Sequence, residues 1–287
     1  MLEPTDQQRL SIQNTTAPTA LVQFLAVKDW AAFEQYRSAS ERAVQKAGGQ
    51  RTHDVHIDQI LAGGDLHYQA ISVDLFRSAE GLLIAYEMVD VERSATLSDV
   101  YALLVRPRAG LPRIGKALGF LAPFFSRWLG TDTEKEMVGF AEYANPETGP
   151  IPETVEVMRK HDQSTHFFMM NLNKYYSKAR YKNGEDVPGE QAYNRYASRI
   201  MPYLISVRGY PSIIGPTIDV FVGDENSQLH DDWSEFAMVF YPSRKNFIRM
   251  MSNSPTKGVY HREAGLERAV LMPSSSFLMG DQFICDQ

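Results

Sequence analysis

The fold prediction starts from residues 19–49, which read TALVQFLAVKDWAAFEQYRSASERAVQKAGG. Seven of the first nine residues are apolar, and the stretch is rich in strand formers, which favours a β-strand. Asp29 is placed to cap a helix, and Gly48 supplies the left-handed residue that ends one. This stretch therefore predicts a strand followed by a helix.

Working outward, the following residues complete a unit. Residues 51–61 and 68–75 are predicted as strands on either side of a glycine turn, residues 78–98 as mainly helix, and residues 100–105 as a closing strand. The order βαββαβ is that of a ferredoxin-like unit.

The same order is predicted again from Thr165 onward. Strands are predicted over residues 166–173, 212–222, 236–241 and 268–272, and helices over residues 190–207 and 243–251. Gly215 and Pro216 are predicted to break the second of these strands. Ser243 is predicted to cap one helix and Ser254 a further one that starts at the following proline.

Sequence similarity accompanies the repeated order. AFEQY at residues 32–36 matches AYNRY at residues 192–196, and ERSATL at residues 92–97 matches HREAGL at residues 261–266. These ordered matches indicate a tandem repeat. Since each sheet has one face covered by its own helices, the second copy can cover the other face, and the chain is predicted to be its own dimer.

The domain prediction follows from these elements. It consists of a flexible lead-in (1–18), a first ferredoxin-like unit (19–106), a helical connector (107–164), a second ferredoxin-like unit (165–273) and a C-terminal tail (274–287).

The connector carries an apolar stripe at helical spacing, which Pro123 is predicted to kink. The stripe consists of Leu111, Ile114, Leu118, Leu121, Phe125 and Trp128. Such a stripe usually packs on a core, but the basic residues among it also permit contact with a membrane surface. The longest mainly apolar stretch, residues 117–129, is too short to span a bilayer, so we expect no integral membrane association.

Composition narrows the partners and the compartment. The net charge of −6 argues against a nucleic-acid partner. Cys285 is the single cysteine, which excludes an intramolecular disulfide and a cysteine-based zinc site. The polar N-terminal residues lack the pattern of a secretory signal, so a cytoplasmic location is expected.

Five stretches of the second unit carry a family resemblance. They are FMMNLNK (168–174), ARYKNG (179–184), GEQAYNRY (189–196), FYPSR (240–244) and HREAGL (261–266). As an ordered set spanning about residues 165–273, they resemble the domain-of-unknown-function family thirteen-thirty of the dimeric α/β-barrel superfamily, which the first unit resembles only in outline.

The resemblance implies an α+β fold in which two tandem ferredoxin-like units pack sheet to sheet as an intramolecular dimeric α/β barrel. Relatives in that superfamily include haem-dependent enzymes, cofactor-free monooxygenases, lactone isomerases and polyketide cyclases. The resemblance therefore leaves the reaction open.

His261 and Arg262 are the first candidates for catalysis. A histidine can exchange a proton near neutral pH, and an adjacent arginine can hold an anionic oxygen of a substrate. The alternative is that both residues cap a helix end or pair with Glu263.

A second group is predicted to bind substrate. Asn171 and Asn173 share one strand face that should be apolar, and the following loop, inserted relative to the first unit, brings Arg180 and Tyr181. This loop could close over a cleft, or it could be an ordinary polar loop. Tyr241, at a strand-to-helix turn, is a further and weaker substrate-binding candidate.

No metal site is predicted. His53 and His56 should point to opposite faces of a strand, and although His56 and Asp58 share a face, two ligands are too few. Phosphate-binding, dinucleotide-binding and nucleophile-elbow motifs are absent from the sequence. No cofactor is predicted, although His230 and His261 leave a haem-binding enzyme open.

Two main functions compete, and enzymatic activity stays an open question. The first is an enzyme, a cofactor-independent isomerase, cyclase or monooxygenase, that acts on a hydrophobic oxygenated metabolite in the second-unit cleft. The second is a non-catalytic ligand-binding or structural module. Either could be a monomer with an internal pseudo-dimer or a homodimer.

Overall fold

The computed structural model describes residues 1–13, 18–135 and 145–277. The strands in these ranges are β1 (Thr19–Val27), β2 (Gln50–Ile57), β3 (Ala70–Phe76), β4 (Leu97–Val105), β5 (Phe167–Tyr175), β6 (Tyr210–Val222), β7 (Glu235–Tyr241) and β8 (Leu266–Ser276). The helices in the same ranges are α1 (Asp6–Gln13), α2 (Trp30–Lys46), α3 (Ala79–Glu87), α4 (Asp90–Thr96), α5 (Leu111–Leu118), α6 (Ala122–Leu129), α7 (Pro152–Lys160), α8 (Gly189–Ser206), α9 (Arg244–Asn253) and α10 (Thr256–Gly265). A short 3₁₀ turn, Gly119–Leu121, joins α5 to α6.

The strands close into one antiparallel barrel in the order β1-β3-β2-β8-β5-β7-β6-β4. We call β1–β4 with α2–α4 the first unit, and β5–β8 with α8–α10 the second unit. Each unit has the ferredoxin-like strand order, and the two sheets meet at the β2–β8 and β4–β6 seams. The predicted α+β fold of two ferredoxin-like units in an intramolecular barrel is confirmed, because a single chain closes the barrel.

Apolar side chains from both units fill the inside of the barrel. Phe24 and Val73 of the first unit lie in one cluster with Met170, Phe236 and Met272 of the second unit. Separate clusters lie outside the barrel, between each sheet and its own helices. Each strand thus has one side chain face in the lumen and the other under helices, as its alternation of side chains requires.

The start of the first unit agrees with the sequence analysis. The Asp29 carboxylate accepts hydrogen bonds from the backbone N–H groups of Ala31, at 2.9 Å, and Ala32, at 3.1 Å, and so caps α2. Gly48 follows the helix with a φ of 77°, a left-handed conformation that glycine adopts without a steric penalty. These local signals were readable because both ends of α2 are set by residues near them in sequence.

The predicted break in β6 is wrong. The strand continues through Gly215 and Pro216, because this is where it exchanges partners: residues up to Pro216 pair with β7, and Thr217 and later residues pair with β4. The Pro216 carbonyl accepts a hydrogen bond from the backbone N–H of Arg106 at 3.0 Å. A side chain at Gly215 would lie 2.0 Å from the Arg106 carbonyl oxygen, so glycine permits this crossing.

The predicted cap at Ser254 is also wrong. The Ser254 hydroxyl donates to the backbone carbonyl of Met250 at 2.7 Å, and Ser254 ends α9. α10 starts at Thr256, and the residue at its N-cap position is Pro255, whose side chain makes no capping hydrogen bond. Ser243, in contrast, caps α9 as predicted by accepting from the backbone N–H of Asn246.

Both predicted terminal segments need correction. The lead-in contains α1, whose Ile12 is buried in the cluster outside the first sheet. Residues 274–276, predicted as tail, continue β8 and pair with β2. The remaining parts of those predictions, residues 14–17 and 278–287 with Cys285, lie outside the described residues, as do residues 136–144 of the connector.

The connector holds helices α5, α6 and α7, as predicted. The chain turns through the 3₁₀ segment just before Pro123, which lies in the first turn of α6. Within the described ranges, no helix has both the length and the apolar character needed to cross a bilayer.

Candidate functional site

A cavity of about 180 Å³ lies in the second unit, between the outer face of its sheet and its helices. β5, β6, β7 and β8 form the floor, and α8, α9 and α10 form the roof. The floor side chains alternate along each strand, so Met169 and Asn171 of β5 and Ala237 and Val239 of β7 all face the cavity.

Apolar side chains make up most of the wall. They are Pro150, Met169, Ala197, Ile200, Met201, Leu204, Pro211, Ile214, Ala237, Val239, Phe247, Met250, Met251, Val259 and Leu271. A mainly apolar cavity with a few convergent polar groups is the usual form of a small-molecule site.

Glu235 is the one carboxylate among the described residues that line this cavity. Its side chain is buried, with the residue only 4% exposed. One carboxylate oxygen accepts a hydrogen bond from the Tyr175 hydroxyl at 2.9 Å, and the other lies 3.2 Å from the Arg108 guanidinium. Burial raises the pKa of Glu235, although the hydrogen bond from Tyr175 and the charge of Arg108 partly offset that rise.

Arg108 reaches this carboxylate from the segment that leaves β4. Its backbone N–H donates to the Ile214 carbonyl at 2.8 Å, which fixes it at the β4–β6 seam. An adjoining hollow of about 310 Å³, the vestibule, is lined in part by Tyr176, Pro188 and Glu190, and it shares Arg108 and Glu235 with the cavity. The Arg108–Glu235 pair therefore stands at the junction of the two spaces.

Asn171 and Asn173 share the helix-facing side of β5, as their spacing predicts. Asn171 lines the cavity, and its amide donates to the Met169 carbonyl at 2.9 Å. Asn173 is buried beside it and donates to the Tyr193 hydroxyl of α8 at 3.2 Å. Asn173 also contacts Glu235 and lowers the pKa of that carboxyl, against the larger effect of burial.

Arg262 of α10 lines the cavity close to Tyr196 of α8. One of its terminal nitrogens donates to Glu263 at 2.9 Å, and the other donates to the backbone carbonyl of Thr148. Burial raises the pKa of Tyr196, and the positive charge of Arg262 partly offsets the rise. Arg262 thus combines the substrate-facing position with the helix-end pairing that the sequence analysis offered as alternatives.

His261 lies apart from this cavity. Its Nδ1 is 2.6 Å from the Tyr181 hydroxyl, in a cluster over the insertion loop that also holds Glu185 and Arg195. Burial lowers the pKa of His261, and the charges of Arg199 and Arg195 lower it further. Adjacent helical residues point in different directions, so Arg262 and His261 serve different surfaces.

The remaining predicted residues divide between the two places. Tyr241 lines the cavity from the end of β7, and its hydroxyl donates to the Met250 sulfur at 3.6 Å. Arg180 is exposed and stacks on the Tyr176 ring at 3.9 Å. The structure therefore brings Asn171, Tyr241 and Arg262 to the cavity and leaves His261, Arg180 and Tyr181 outside it.

The cavity does not fit a haem held by either predicted histidine. His230 lies on the exposed loop between β6 and β7, and His261 is engaged by Tyr181. Neither is among the residues that line the cavity. Nor do the described residues contain a group of three side chains that could hold a metal ion; His56 and Asp58 lie 3.4 Å apart without a third ligand.

Glu235 and Arg108 are the site residues that the sequence analysis missed. A signal for Glu235 was present, since it alternates with Ala237, Val239 and Tyr241 on one strand face. The predicted strand started one residue later, which left Glu235 outside it. Arg108 gave no comparable signal, because its position depends on the closure of the barrel.

No family model and no curated protein matches this chain. Solved structures similar to it include a protein of unknown function from Rhodopseudomonas palustris, with 23% identity, a TM-score of 0.41 and coverage of 47% of this chain and 98% of that one. A chlorite dismutase variant from Candidatus Nitrospira defluvii is 10% identical, with a TM-score of 0.43 and coverage of 96% and 97%. An anthrone oxidase-like protein is 9% identical, with a TM-score of 0.44 and coverage of 90% and 91%. At these identities and TM-scores, the similarities carry no information about activity.

Proposed function

We propose that the protein is a cofactor-independent enzyme that binds a small, mainly apolar carbonyl compound in the second-unit cavity and moves a proton with Glu235. The observation that carries the proposal is a buried carboxyl group of raised pKa on the wall of an otherwise mainly apolar cavity. A general base works best with a pKa near the working pH, and burial moves a carboxyl in that direction.

The reaction class follows from the groups around Glu235. The carboxylate takes a proton from a carbon next to the substrate carbonyl, and the electron pair of the broken C–H bond moves onto the carbonyl oxygen. Among the polar groups that line the cavity, Arg262 and the amide of Asn171 hold this developing negative charge. Glu235 then returns the proton to another atom of the same molecule.

These two proton transfers need no second reactant when the product is an isomer or a cyclised form of the substrate. Oxygenation of the same enolate would consume dioxygen as a co-substrate. We therefore place isomerisation or cyclisation first among the reactions expected of this chain, and oxygenation by a monooxygenase-type reaction second.

The test follows proton transfer directly. A panel of cyclic ketones and unsaturated ketones is incubated with the protein in deuterated buffer, and exchange at the carbon next to the carbonyl is followed by NMR. We expect exchange with the wild type and a loss of about 10²- to 10⁴-fold in Glu235→Gln, the usual contribution of a general base. Glu225→Gln, an exposed loop carboxylate with the same change in charge, is the matched control.

Two results would contradict the assignment. If Glu235→Gln exchanges deuterium at the wild-type rate, Glu235 is not the base. Exchange that stops in His261→Ala but not in Glu235→Gln would place the active site at the cluster of His261 and Tyr181 instead.

The second candidate is a binding protein without chemistry. It is favoured by four methionines in the cavity wall, Met169, Met201, Met250 and Met251, since flexible thioether side chains adapt to ligands of varied shape. This reading predicts saturable binding by native mass spectrometry, recovery of the ligand unchanged and no deuterium exchange. Exchange or product formation with any compound that binds would exclude it.

A further inference from the structure

Four large apolar side chains on α5, α6 and the turn between them face solvent. Ile114 is 57% exposed, Phe120 75%, Phe124 66% and Trp128 68%. We call these four residues, three of which are aromatic, the aromatic patch. Ile114 and Trp128 belong to the predicted apolar stripe, whereas Phe120 and Phe124 do not. Core packing does not account for these four exposed side chains, although Leu118, Leu121 and Phe125 of the stripe are partly buried.

The patch is held outward by the packing of the same helices on the second unit. Gly115 faces the Tyr210 side chain so closely that a Cβ would lie 2.8 Å from it, and Ala122 is buried. Just beyond α6, the Thr131 hydroxyl donates to the Ser206 hydroxyl of α8 at 2.7 Å. The ring of Phe124 stacks with that of Trp128, with their centroids 6.5 Å apart, so these two exposed rings form one surface.

The segment that carries the patch, residues 106–130, contains charges of one sign, and one of them, Arg108, is paired with Glu235. Residues 106–130 contain five lysine and arginine residues and no aspartate or glutamate. Since the whole chain has a net charge of −6, the rest of the chain carries −11. Arg113 and Arg127 are exposed on the same two helices as the patch. Exposed cations and large exposed apolar side chains therefore share these two helices.

We propose that the aromatic patch docks the protein on an anionic membrane surface. Tryptophan and phenylalanine side chains insert at the boundary between headgroups and acyl chains, and flanking cations pair with anionic lipid headgroups. A symmetric contact between two copies fits less well, because it would bring the like charges of Arg113 and Arg127 from both copies together. This inference is independent of the reaction in the cavity.

Vesicle sedimentation tests the proposal with the full chain. We expect binding to phosphatidylcholine vesicles that contain phosphatidylserine, weakening as salt is raised, and little binding to phosphatidylcholine alone. Arg113→Gln/Arg127→Gln should lower the affinity roughly thirtyfold, given the usual contribution of each cation near such a surface. Phe124→Ser/Trp128→Ser should abolish measurable binding.

Controls come from other exposed residues of the chain. Val91→Ser removes an 80% exposed apolar side chain from α4, and Arg42→Gln removes an exposed cation from α2; both should bind as the wild type does. The emission of Trp128 gives a second readout, because its ring moves from water into the interface. Vesicles should shift the emission to the blue in the wild type but not in Trp128→Phe.

Each contrary outcome overturns the proposal. Absence of binding at low salt would exclude an anionic membrane, as would binding that the patch variants retain. Salt-independent binding to phosphatidylcholine alone would remove the role of the cations. A dimer that Phe124→Ser/Trp128→Ser converts to a monomer would identify a second copy as the occupant.

Discussion

The two units share one strand register and differ in what lies between sheet and helices. Thr19 of β1 pairs with Phe76 of β3, as Phe167 of β5 pairs with Tyr241 of β7. Yet the space under the helices is about 10 Å³ in the first unit and about 180 Å³ in the second. The same backbone arrangement therefore gives a packed core in one unit and a cavity in the other.

A buried ion pair fills the first unit. Arg51 binds Asp74 with two hydrogen bonds, at 2.8 and 3.0 Å, and a third reaches Ser40 of α2 at 2.8 Å. The shared register puts Pro211 opposite Val239 where Arg51 lies opposite Asp74. Pro211 and Val239 both line the cavity. The cavity thus opens where a buried arginine and its aspartate partner are replaced by a proline and a valine.

The comparison also separates residues that both units have from residues that only the second unit has. Tyr36 and Arg93 of the first unit are paired as Tyr196 and Arg262 are in the second. Arg93 is fully buried beside a space of only about 10 Å³, so an arginine at this position has a structural role in the first unit, and Arg262 keeps such a role through its contacts with Glu263 and Thr148. Glu235, in contrast, occupies the register position of Ala70. The difference between the units therefore points to Glu235 more strongly than to Arg262.

The largest expected effect comes from breaking the ion pair of the first unit. Asp74→Ala leaves the Arg51 charge buried without its partner and should lower the free energy of unfolding by about 3–5 kcal/mol. Urea unfolding measures it. Arg51→Met/Asp74→Val, which imitates the second unit by removing both charges, should cost much less. An equal loss in both variants would show that the volume of the pair, rather than its charge balance, supports the first unit.

Filling the two spaces should give effects of opposite sign. Ala85→Leu enlarges a side chain beside the 10 Å³ space of the first unit and should cost about 1–3 kcal/mol through overpacking. Ala237→Leu enlarges a side chain beside the 180 Å³ cavity. It should raise the free energy of unfolding by about 0.5–2 kcal/mol and block ligand binding. Thermal unfolding and native mass spectrometry measure the two properties. Destabilisation by Ala237→Leu would mean that the cavity has less usable room than its volume indicates.

Much of the fold could be predicted from the sequence because its signals are local. The cap at Asp29, the glycine turn at Gly48 and the alternation in β5 depend on neighbours along the chain. Sequence patterns could not show that Gly215 and Pro216 mark a change of pairing partner, since that change depends on the β4–β6 seam. A Gly-Pro pair that ends a strand cannot be distinguished from one at which a strand changes partners when the partner strand is unknown.

The site was predicted in part for the same reason. Alternation placed Asn171 and Asn173 correctly on one strand face, and which face that is could not be predicted. His261 was ranked first for its chemistry alone, although its side chain direction depends on how α10 packs on α8. The pairing of Arg108 with Glu235 joins residues far apart in sequence, and only the closed barrel brings them together.

The smallest expected effect tests whether burial disfavours the charged form of the Glu235 carboxyl group. Because its pKa is raised above the ordinary value of 4.5, the folded protein holds this proton more tightly than the unfolded chain does. The wild type should therefore lose unfolding free energy relative to Glu235→Gln as pH rises from about 4.5 toward neutral, by at most about 1.4 kcal/mol per pH unit. Urea unfolding of both proteins across this range gives the difference. A difference that instead grows in favour of the wild type would mean that Arg108 and Tyr175 outweigh burial, and Glu235 would then be the structural ion-pair partner of Arg108 rather than a base.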